Sequence, residues 1–185
     1  KAKGAFRSKK IKPLVGDNVQ IQIISLEQMT GNIIEILPRI NELIRPAVAN
    51  IDQALIVFAM KDPKPNLNLL DRFLMMMLKQ EVPTIICFNK KDITEEQEQK
   101  EMEEIYKNCG CRLVFTSTYT EEGMQVIQDL IKGKTTALAG PSGVGKSSML
   151  NKLHPDANME TGSVSEKIRR GRHTTRHSEL IHIEE

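Results

Sequence analysis

The stretch that decides the fold is Gly140-Pro141-Ser142-Gly143-Val144-Gly145-Lys146-Ser147, with Ser148 directly after it. It fits the pattern G-x-x-x-x-G-K-[ST] between a predicted strand and a predicted helix, the context that this pattern requires. Glycines allow backbone N–H groups to turn inward around phosphate oxygens, and the N-terminus of the helix adds a positive partial charge. The sequence therefore predicts a phosphate-binding loop over residues 140–148. We expect Lys146 to reach the β- and γ-phosphates, Ser147 to ligate Mg²⁺, and the Ser148 N–H to meet the α-phosphate.

Strands and helices alternate from about residue 47 up to this loop. The run from Ala54 to Met60 is apolar throughout, which is typical of a parallel strand covered on both faces. Repeated units of this kind predict an α/β fold with a mostly parallel sheet and right-handed crossovers. Asn66 is a predicted helix N-cap, and Thr94 with Gln97 is a predicted capping-box pair. The predicted elements are strand 54–60, helix 67–79, strand 84–88, helix 95–107, strand 112–116, helix 124–131 and strand 135–139.

A second motif, Asn89-Lys90-Lys91-Asp92, comes directly after the predicted strand 84–88 and fits N-K-x-D. The Asp92 carboxylate can accept hydrogen bonds from N1–H and the 2-amino group of guanine, and adenine offers neither donor at that edge. A site built on such bonds rejects the wrong base by about 10⁴-fold or more. We expect Asn89 to tie the loop together and contact N7, and the Lys90 stem to lie across the base. The tetrapeptide alone also fits a polar turn, but a phosphate loop in the same sheet favours guanine binding.

Two further segments complete the predicted site. Ser117-Thr118 ends the next predicted strand and takes the place of an S-A-x segment, whose backbone N–H contacts guanine O6; Thr118 departs from the alanine of that pattern. The residues His173-Thr174-Thr175 lie in a long loop after the predicted helix. Thr174 or Thr175 is placed to contact Mg²⁺ and the γ-phosphate, as in a first switch region. We expect Thr175 to join Ser147 as a Mg²⁺ ligand; the alternative is a flexible basic loop.

Residues 1–46 predict a small all-β module. Val19, Ile21 and Ile23 alternate with polar residues, which predicts a strand with one buried face. Thr30-Gly31-Asn32 is a predicted turn, and 33–37 and 42–45 are further candidate strands. We expect an OB-fold-like barrel that is incomplete at its N-terminus.

Composition excludes several classes of protein. With 39% hydrophobic residues the chain can bury a core, so it is not a disordered tail. Its longest apolar run, 54–60, is far shorter than the about 20 residues that span a membrane, and we expect no leader peptide from the basic opening residues, which no apolar segment follows. The three cysteines predict reduced thiols in the cytoplasm, and Cys109-Gly110-Cys111 has no second pair at a zinc-site spacing.

The net charge of +2 is unevenly distributed. Residues 1–12 carry six basic residues and residues 167–177 carry five, with no acidic residue in either segment, so the remainder is net acidic. Two basic segments on an acidic body fit contact with a nucleic-acid backbone. Two solvated loops are the alternative interpretation.

The order of the motifs points to a family. Asn89 precedes Gly140 by 51 residues, whereas ordinary GTPases have the phosphate loop first, so the domain resembles a circularly permuted GTPase. A β module followed by N-K-x-D, the phosphate loop and Gly171-Arg172-His173-Thr174-Thr175 resembles the ribosome small-subunit-dependent GTPase A (RsgA, YjeQ or YloQ) family. We assign 1–46 to the RNA-binding module and 47–185 to the GTPase domain.

The resemblance implies a GTP-hydrolysing factor in late maturation of the small (30S) ribosomal subunit, stimulated by that subunit and its rRNA. It implies GTP, GDP and Mg²⁺ as ligands, with no membrane partner, a monomeric state and a cytoplasmic location. The chain lacks an initiator methionine, the second switch D-x-P-G and the zinc domain of that family, so we expect a fragment, with Zn²⁺ bound only in the missing C-terminal domain. Two alternatives remain open: an ATPase in which 89–92 is accidental, and a non-catalytic RNA-binding module with nucleotide as a structural or switch ligand.

Overall fold

The structure is a computed structural model that describes residues 12–157, 159 and 180–183. Its centre is a four-stranded parallel sheet in the order β7-β6-β5-β8. These strands are β5 (Gln53–Ala59), β6 (Thr84–Asn89), β7 (Arg112–Phe115) and β8 (Thr136–Ala139). The helices are α1 (Leu67–Lys79), α2 (Glu96–Tyr106), α3 (Met124–Ile131) and α4 (Lys146–Leu153). The predicted α/β fold is confirmed. No helix within the described part of the chain is both long and apolar enough to span a bilayer.

The parallel sheet is covered on both faces, which explains the uninterrupted apolar run of its central strand. All seven residues of β5 are buried. Alternate side chains, including Ile56 and Phe58, pack with Leu70 and Met77 of α1. The intervening side chains, including Val57, belong to a second core cluster with residues of α3 and α4, such as Ile127 and Met149. The fold is therefore a three-layer sandwich with the sheet in the middle.

Helix starts follow the sequence with one exception. The Asn66 side chain accepts a hydrogen bond from the Leu69 N–H at 3.1 Å, so the predicted N-cap of α1 is confirmed. The predicted capping box of Thr94 and Gln97 is wrong. Glu95 is the N-cap of α2 and forms the box with Glu98, while the Thr94 hydroxyl donates to the Lys90 carbonyl at 2.9 Å. A carboxylate fulfils the same role as a hydroxyl here, one position further along.

The N-terminal region contains antiparallel strands. Strand β1 (Val19–Ser25) pairs with β2 (Thr30–Ile36), and β3 (Glu42–Leu43) pairs with β4 (Val48–Ala49). The predicted turn at 30–32 is wrong, because these residues lie inside β2 and the turn occupies 26–29. The predicted buried face of β1 is also wrong among the described residues: Ile21 and Ile23 are each 58% exposed.

Hydrogen bonds of side chains connect this region to the residues before β5. Arg39 binds Asp17 through Nε at 2.7 Å and Nη2 at 3.0 Å, and it also pairs with Glu42. Burial raises the pKa of Asp17, but its hydrogen bonds to Arg39 and the Leu14 N–H together with the charge of Arg39 outweigh that effect, so the pKa is lowered overall. The Asn50 side chain donates to the Gly16 carbonyl at 2.9 Å. Polar contacts therefore hold the described part of this region together with Leu43, which is buried in the core cluster of the sheet.

Candidate nucleotide-binding site

The loop between β8 and α4 has the backbone conformation that a phosphate cradle requires. Gly140, Gly143 and Gly145 have φ angles of 144°, 82° and 97°, in the region that L side chains rarely adopt. A methyl group on Gly140 would overlap the Val57 carbonyl oxygen of β5. The Lys146 ammonium donates to the Pro141 carbonyl at 2.6 Å, so it lies over the loop. The predicted loop residues therefore lie together at the N-terminus of α4, the end of a helix that favours an anion.

The Asn89 side chain joins the N-K-x-D segment to the phosphate loop. It is completely buried, and its Nδ2 donates to the Val144 carbonyl at 2.8 Å. A methyl group on Gly145 would overlap that same Nδ2, so only glycine leaves room for the contact. The Asn89 Oδ1 accepts from the Thr118 N–H and from the Thr116 hydroxyl, both at 3.2 Å. One carboxamide thus fixes the relative positions of three loops.

Two further buried side chains, those of Thr116 and Cys87, support the Asn89 carboxamide. The Thr116 hydroxyl, which donates to Asn89, also forms a 3.3 Å hydrogen bond with the thiol of Cys87 on β6. Burial raises the pKa of the Cys87 thiol to about 12, so it remains neutral at physiological pH. Thr116 was not predicted as a site residue; its place beside Ser117 at the end of a strand was the available signal.

The Asp92 carboxylate is held by the next loop. The Ser117 hydroxyl donates to Asp92 Oδ1 at 2.5 Å and accepts from the Tyr119 and Thr120 N–H groups at 3.2 and 3.0 Å. Ser117 is buried, whereas Asp92 is exposed. The carboxylate is therefore fixed in orientation while its remaining acceptor positions face solvent, as a base-reading group requires.

Lysines stabilise the arrangement of these loops through contacts at their outer edge. The Lys90 ammonium donates to the Asp62 carbonyl, and Lys91 pairs with Glu122. A further pair joins Glu121 to Lys152 of α4. Lys90 has a left-handed φ of 65°, which turns the chain sharply after β6. Sequence reasoning missed the partners Asp62, Glu121 and Glu122, since nothing in a single sequence shows which charged surface residues meet.

A cavity of about 300 Å³ lies beside the phosphate loop. Its walls include Phe58, the proline-containing segment 63–66, Pro141 and Ser142. The Met60 N–H donates to the Asn89 carbonyl at 2.9 Å, so the segment after β5 is tied to the N-K-x-D segment. The predicted site consequently has a third wall that no motif indicated.

Some predicted site residues fall outside this geometry. Thr174 and Thr175, with most of the basic segments 1–12 and 167–177, lie outside the described residues. Within the described part of the chain, no group of three or more His, Cys, Asp or Glu side chains is arranged to hold a metal ion. Cys87 is buried and free, and Cys109 and Cys111 are also free thiols.

The fold and this site define a P-loop nucleotide-binding domain in which the base-reading loop precedes the phosphate loop in sequence. The family described as RsgA GTPase matches residues 36–185, and the RsgA N-terminal domain matches residues 1–33. The chain belongs to the RsgA GTPase family.

Curated relatives and solved structures agree with this assignment. Proteins named small ribosomal subunit biogenesis GTPase RsgA from Agathobacter rectalis and Alkaliphilus metalliredigens are 60% and 45% identical over 185 and 184 residues. Each match covers all of this chain, which spans 61% and 63% of those relatives.

Two crystal structures are similar to this fold. YjeQ from Thermotoga maritima has a TM-score of 0.72 at 38% identity, over 84% of this chain and 56% of that one. YloQ, described as a circularly permuted GTPase, has a TM-score of 0.64 at 40% identity, over 84% of this chain and 55% of that one. The permuted motif order of this chain therefore has a structural counterpart in YloQ.

Proposed function

We propose that this chain binds and hydrolyses GTP as part of a factor that acts in late maturation of the small ribosomal subunit. The observation that carries the proposal is the Asn89 carboxamide. Its 2.8 Å bond to the Val144 carbonyl holds a guanine-reading carboxylate and a phosphate loop in one site. The names of the relatives supply the ribosomal part of the proposal.

Binding is divided between two groups of residues. The backbone of 140–148 and the Lys146 ammonium take the phosphates, and Lys146 exchanges its bond to the Pro141 carbonyl for phosphate oxygens. Asn89, Lys90, Lys91 and Asp92 take the base, with the Ser117-Thr118 segment at the side of guanine O6. Ser147, with Thr174 or Thr175, would hold Mg²⁺, which would supply charge neutralisation at the phosphates.

Hydrolysis in this site rests on positioning and on charge stabilisation. Backbone donors of the loop and the Lys146 cation face the transferred group from fixed positions, so little reorganisation accompanies the development of charge. These groups hold the γ-phosphate in line for an attacking water. The small ribosomal subunit raises the rate by completing the site.

The remaining proposals, on domains, partners and location, rest on membership of the same family. We propose that residues 1–46 form an OB-like RNA-binding module and 47–185 the GTPase domain, with rRNA contacted by the basic segments 1–12 and 167–177. The factor acts as a cytoplasmic monomer, and zinc belongs to the C-terminal domain of the family. The Asn50 side chain, which donates to the Gly16 carbonyl at 2.9 Å, connects the two regions.

The substitution Asp92→Asn tests the base-reading part. An amide accepts only through its oxygen, so guanine loses a charge-assisted partner, while xanthine gains a donor for its 2-oxo group. Calorimetric titration is expected to show GTP affinity falling about 100-fold or more and xanthosine triphosphate affinity rising. Asp129→Asn, the same change of side chain at an exposed position of α3, is the control. Unchanged GTP affinity in the Asp92 variant would overturn the assignment.

Nucleotide competition and turnover separate the proposal from its alternatives. ATP is expected to compete at least about 10⁴-fold less well than GTP, because Asp92 would face an unpaired purine edge. GTP turnover is expected to be slow alone and faster with purified small ribosomal subunits. Equal competition by ATP would indicate an ATPase, and binding without turnover under both conditions would indicate a non-catalytic module.

A further inference from the structure

The segment Cys109-Gly110-Cys111 places two thiols at the turn between α2 and β7. Cys109 is exposed, Cys111 is half-buried, and both are free. Gly110 has a left-handed φ of 77°, and a methyl group added there would meet no atom within 4 Å, so there is open space beside the turn. The pair lies away from the nucleotide site, because β7 begins at Arg112 and the loop that holds Asp92 follows the other end of this strand.

The Cys111 thiol is directed back toward Cys109. Its Sγ donates to the Cys109 carbonyl at 3.9 Å. Burial, the charge of Cys109 and a hydrogen bond to the Cys109 side chain together raise the pKa of the Cys111 thiol to about 11. Two Cα atoms separated by one residue are at most about 7 Å apart, and a turn shortens this distance into the range that disulfides span. The local geometry therefore allows a bond between the two sulfur atoms.

The difference in exposure gives the two thiols different roles. Cys109 is accessible to a reagent in solution, whereas Cys111 packs against the core cluster that contains Phe88 and Tyr106. The third thiol of the chain, Cys87, is fully buried, and burial raises its pKa to about 12. A reagent in solution therefore meets Cys109 first, with Cys111 next to it and Cys87 out of reach.

We propose that Cys109 and Cys111 are a redox-active dithiol, a modification site that reacts with low-molecular-weight disulfides. The Cys109 thiolate attacks one sulfur of such a disulfide, which forms a mixed disulfide and releases one small thiolate. Cys111 loses its proton to solvent and attacks the Cys109 sulfur, which closes the Cys109–Cys111 bond and releases the second small thiolate. The chain gives up two electrons and two protons, and the small disulfide is reduced to two thiols. No nucleotide takes part, so the proposal is independent of the proposed function.

Peptide mapping of the native chain tests the bridge without any substitution. Lys107 and Arg112 flank the pair, so trypsin releases residues 108–112 with both thiols and leaves Cys87 in a different peptide. After incubation with glutathione disulfide and alkylation of the remaining thiols, this peptide is expected to carry no alkyl group and to be about 2 Da lighter than the dithiol form. Dithiothreitol is expected to restore both thiols. A peptide with two alkyl groups, or a disulfide that joins two chains, would overturn the proposal.

Single-thiol variants test the order of the two reactions. Cys111→Ser keeps the exposed thiol and is expected to retain one glutathione, whereas the native chain retains less than about a tenth as much, because Cys111 displaces it. Cys109→Ser is expected to react at least about tenfold more slowly than the native chain, because only the half-buried thiol remains. Equal retention of glutathione by the native chain and Cys111→Ser would overturn the bridge. Equal rates for the native chain and Cys109→Ser would overturn the role of Cys109.

Glutathione buffers distinguish the bridge from a mixed disulfide at equilibrium. Closure of the bridge releases two glutathione molecules, so doubling reduced glutathione at fixed glutathione disulfide is expected to lower the ratio of bridged to dithiol chain about fourfold. A twofold change would indicate a mixed disulfide and overturn the bridge. Saturating GDP is expected to leave the ratio unchanged, since the pair and the nucleotide loops lie at opposite ends of β7. A shift with GDP would overturn the separation of the two sites.

Discussion

The two β regions of this chain contain the same residue types in different surroundings. In the parallel sheet, Ile56 and Ile86 are fully buried between helices. In the β1–β2 hairpin, Ile21 and Ile23 are more than half exposed. Strands pair in both regions, so strand formation alone does not produce a core. The nucleotide loops all extend from the region in which helices cover both faces, where their positions are fixed by packing.

The largest difference between substitutions in the two regions is expected in GTP turnover. Lys146→Ala removes the side-chain cation of the phosphate loop, so GTP turnover is expected to fall at least about 100-fold, with weaker nucleotide binding. Ile23→Ala in the hairpin is the control and leaves basal turnover unchanged. Both are measured by phosphate release. Turnover at the native rate in the Lys146 variant would place the chemistry elsewhere.

Core substitutions sharpen the comparison in terms of stability. Ile86→Ala deletes buried methyl groups in the middle of the sheet, and we expect the free energy of unfolding to fall by about 2–5 kcal/mol. Ile23→Ala removes a side chain that is 58% exposed, and we expect a loss below about 1 kcal/mol. Denaturant titrations followed by circular dichroism compare the two. Equal losses would contradict the difference in burial between the regions.

The polar network of the N-terminal region predicts a dependence on pH. Arg39→Ala leaves the buried Asp17 carboxylate without its partner, and we expect a loss of about 2–3 kcal/mol at pH 7. Because Arg39 lowers the folded-state pKa of Asp17, its stabilising contribution is complete above the ordinary pKa near 4 and is lost as the pH falls through the lowered value. The difference between the two chains is therefore expected to shrink below about pH 4.

Denaturant titrations of both chains between pH 3 and pH 7 measure this difference. Arg45→Ala is the control, since it changes the charge of the same region and leaves the bonds between Arg39 and Asp17 in place. A difference that stays constant over the whole range would contradict the assignment to Asp17.

The smallest effect is expected at the outer edge of the site. Glu122→Gln removes the pairing with Lys91, in which the Glu122 side chain is 57% exposed. Exposed pairs contribute about 0.2–1 kcal/mol, so the expected fall in GDP affinity is at most about fivefold. Titration at low and at high salt checks this, because the effect should diminish with screening. A loss approaching that of Asp92→Asn would mean that the pair itself carries base recognition.

Sequence predicted the parallel-sheet region better than the hairpin region, for a physical reason. Strand β5 has apolar residues on both faces, and β-α units of ordinary length leave a parallel sheet as the arrangement that buries them. Alternation in β1 predicts a strand, but what covers its apolar face depends on partners that periodicity does not identify. The turn at 26–29 has no glycine or proline. Residues 30–32 contain Gly31 and Asn32, which are common in turns, so the turn was predicted there instead.

Within the site, the predictable residues belong to short motifs whose backbone requirements are local. The bonds that Asn89 makes to Val144, Thr116 and Thr118 join residues from separate strands, and they emerge only when the sheet is assembled. The pairing of Lys90 with the Asp62 carbonyl has no sequence signature, because any backbone oxygen at that place would accept the bond. The motifs therefore predicted which residues belong to the site, whereas the hydrogen bonds that position them became visible only in the folded structure.

The strand order β7-β6-β5-β8 has a consequence for synthesis of the chain. As translation proceeds from the N-terminus, β5 leaves the ribosome before β6 and β7, and long before β8, yet it pairs with β6 on one side and β8 on the other. Until residues 136–139 emerge, one edge of this apolar strand lacks its native partner, as an unpaired edge open to wrong pairing. The nascent chain is therefore most vulnerable to aggregation in the interval that ends when the phosphate loop is made. The loop that binds the nucleotide phosphates is therefore synthesised directly after the strand that completes the sheet.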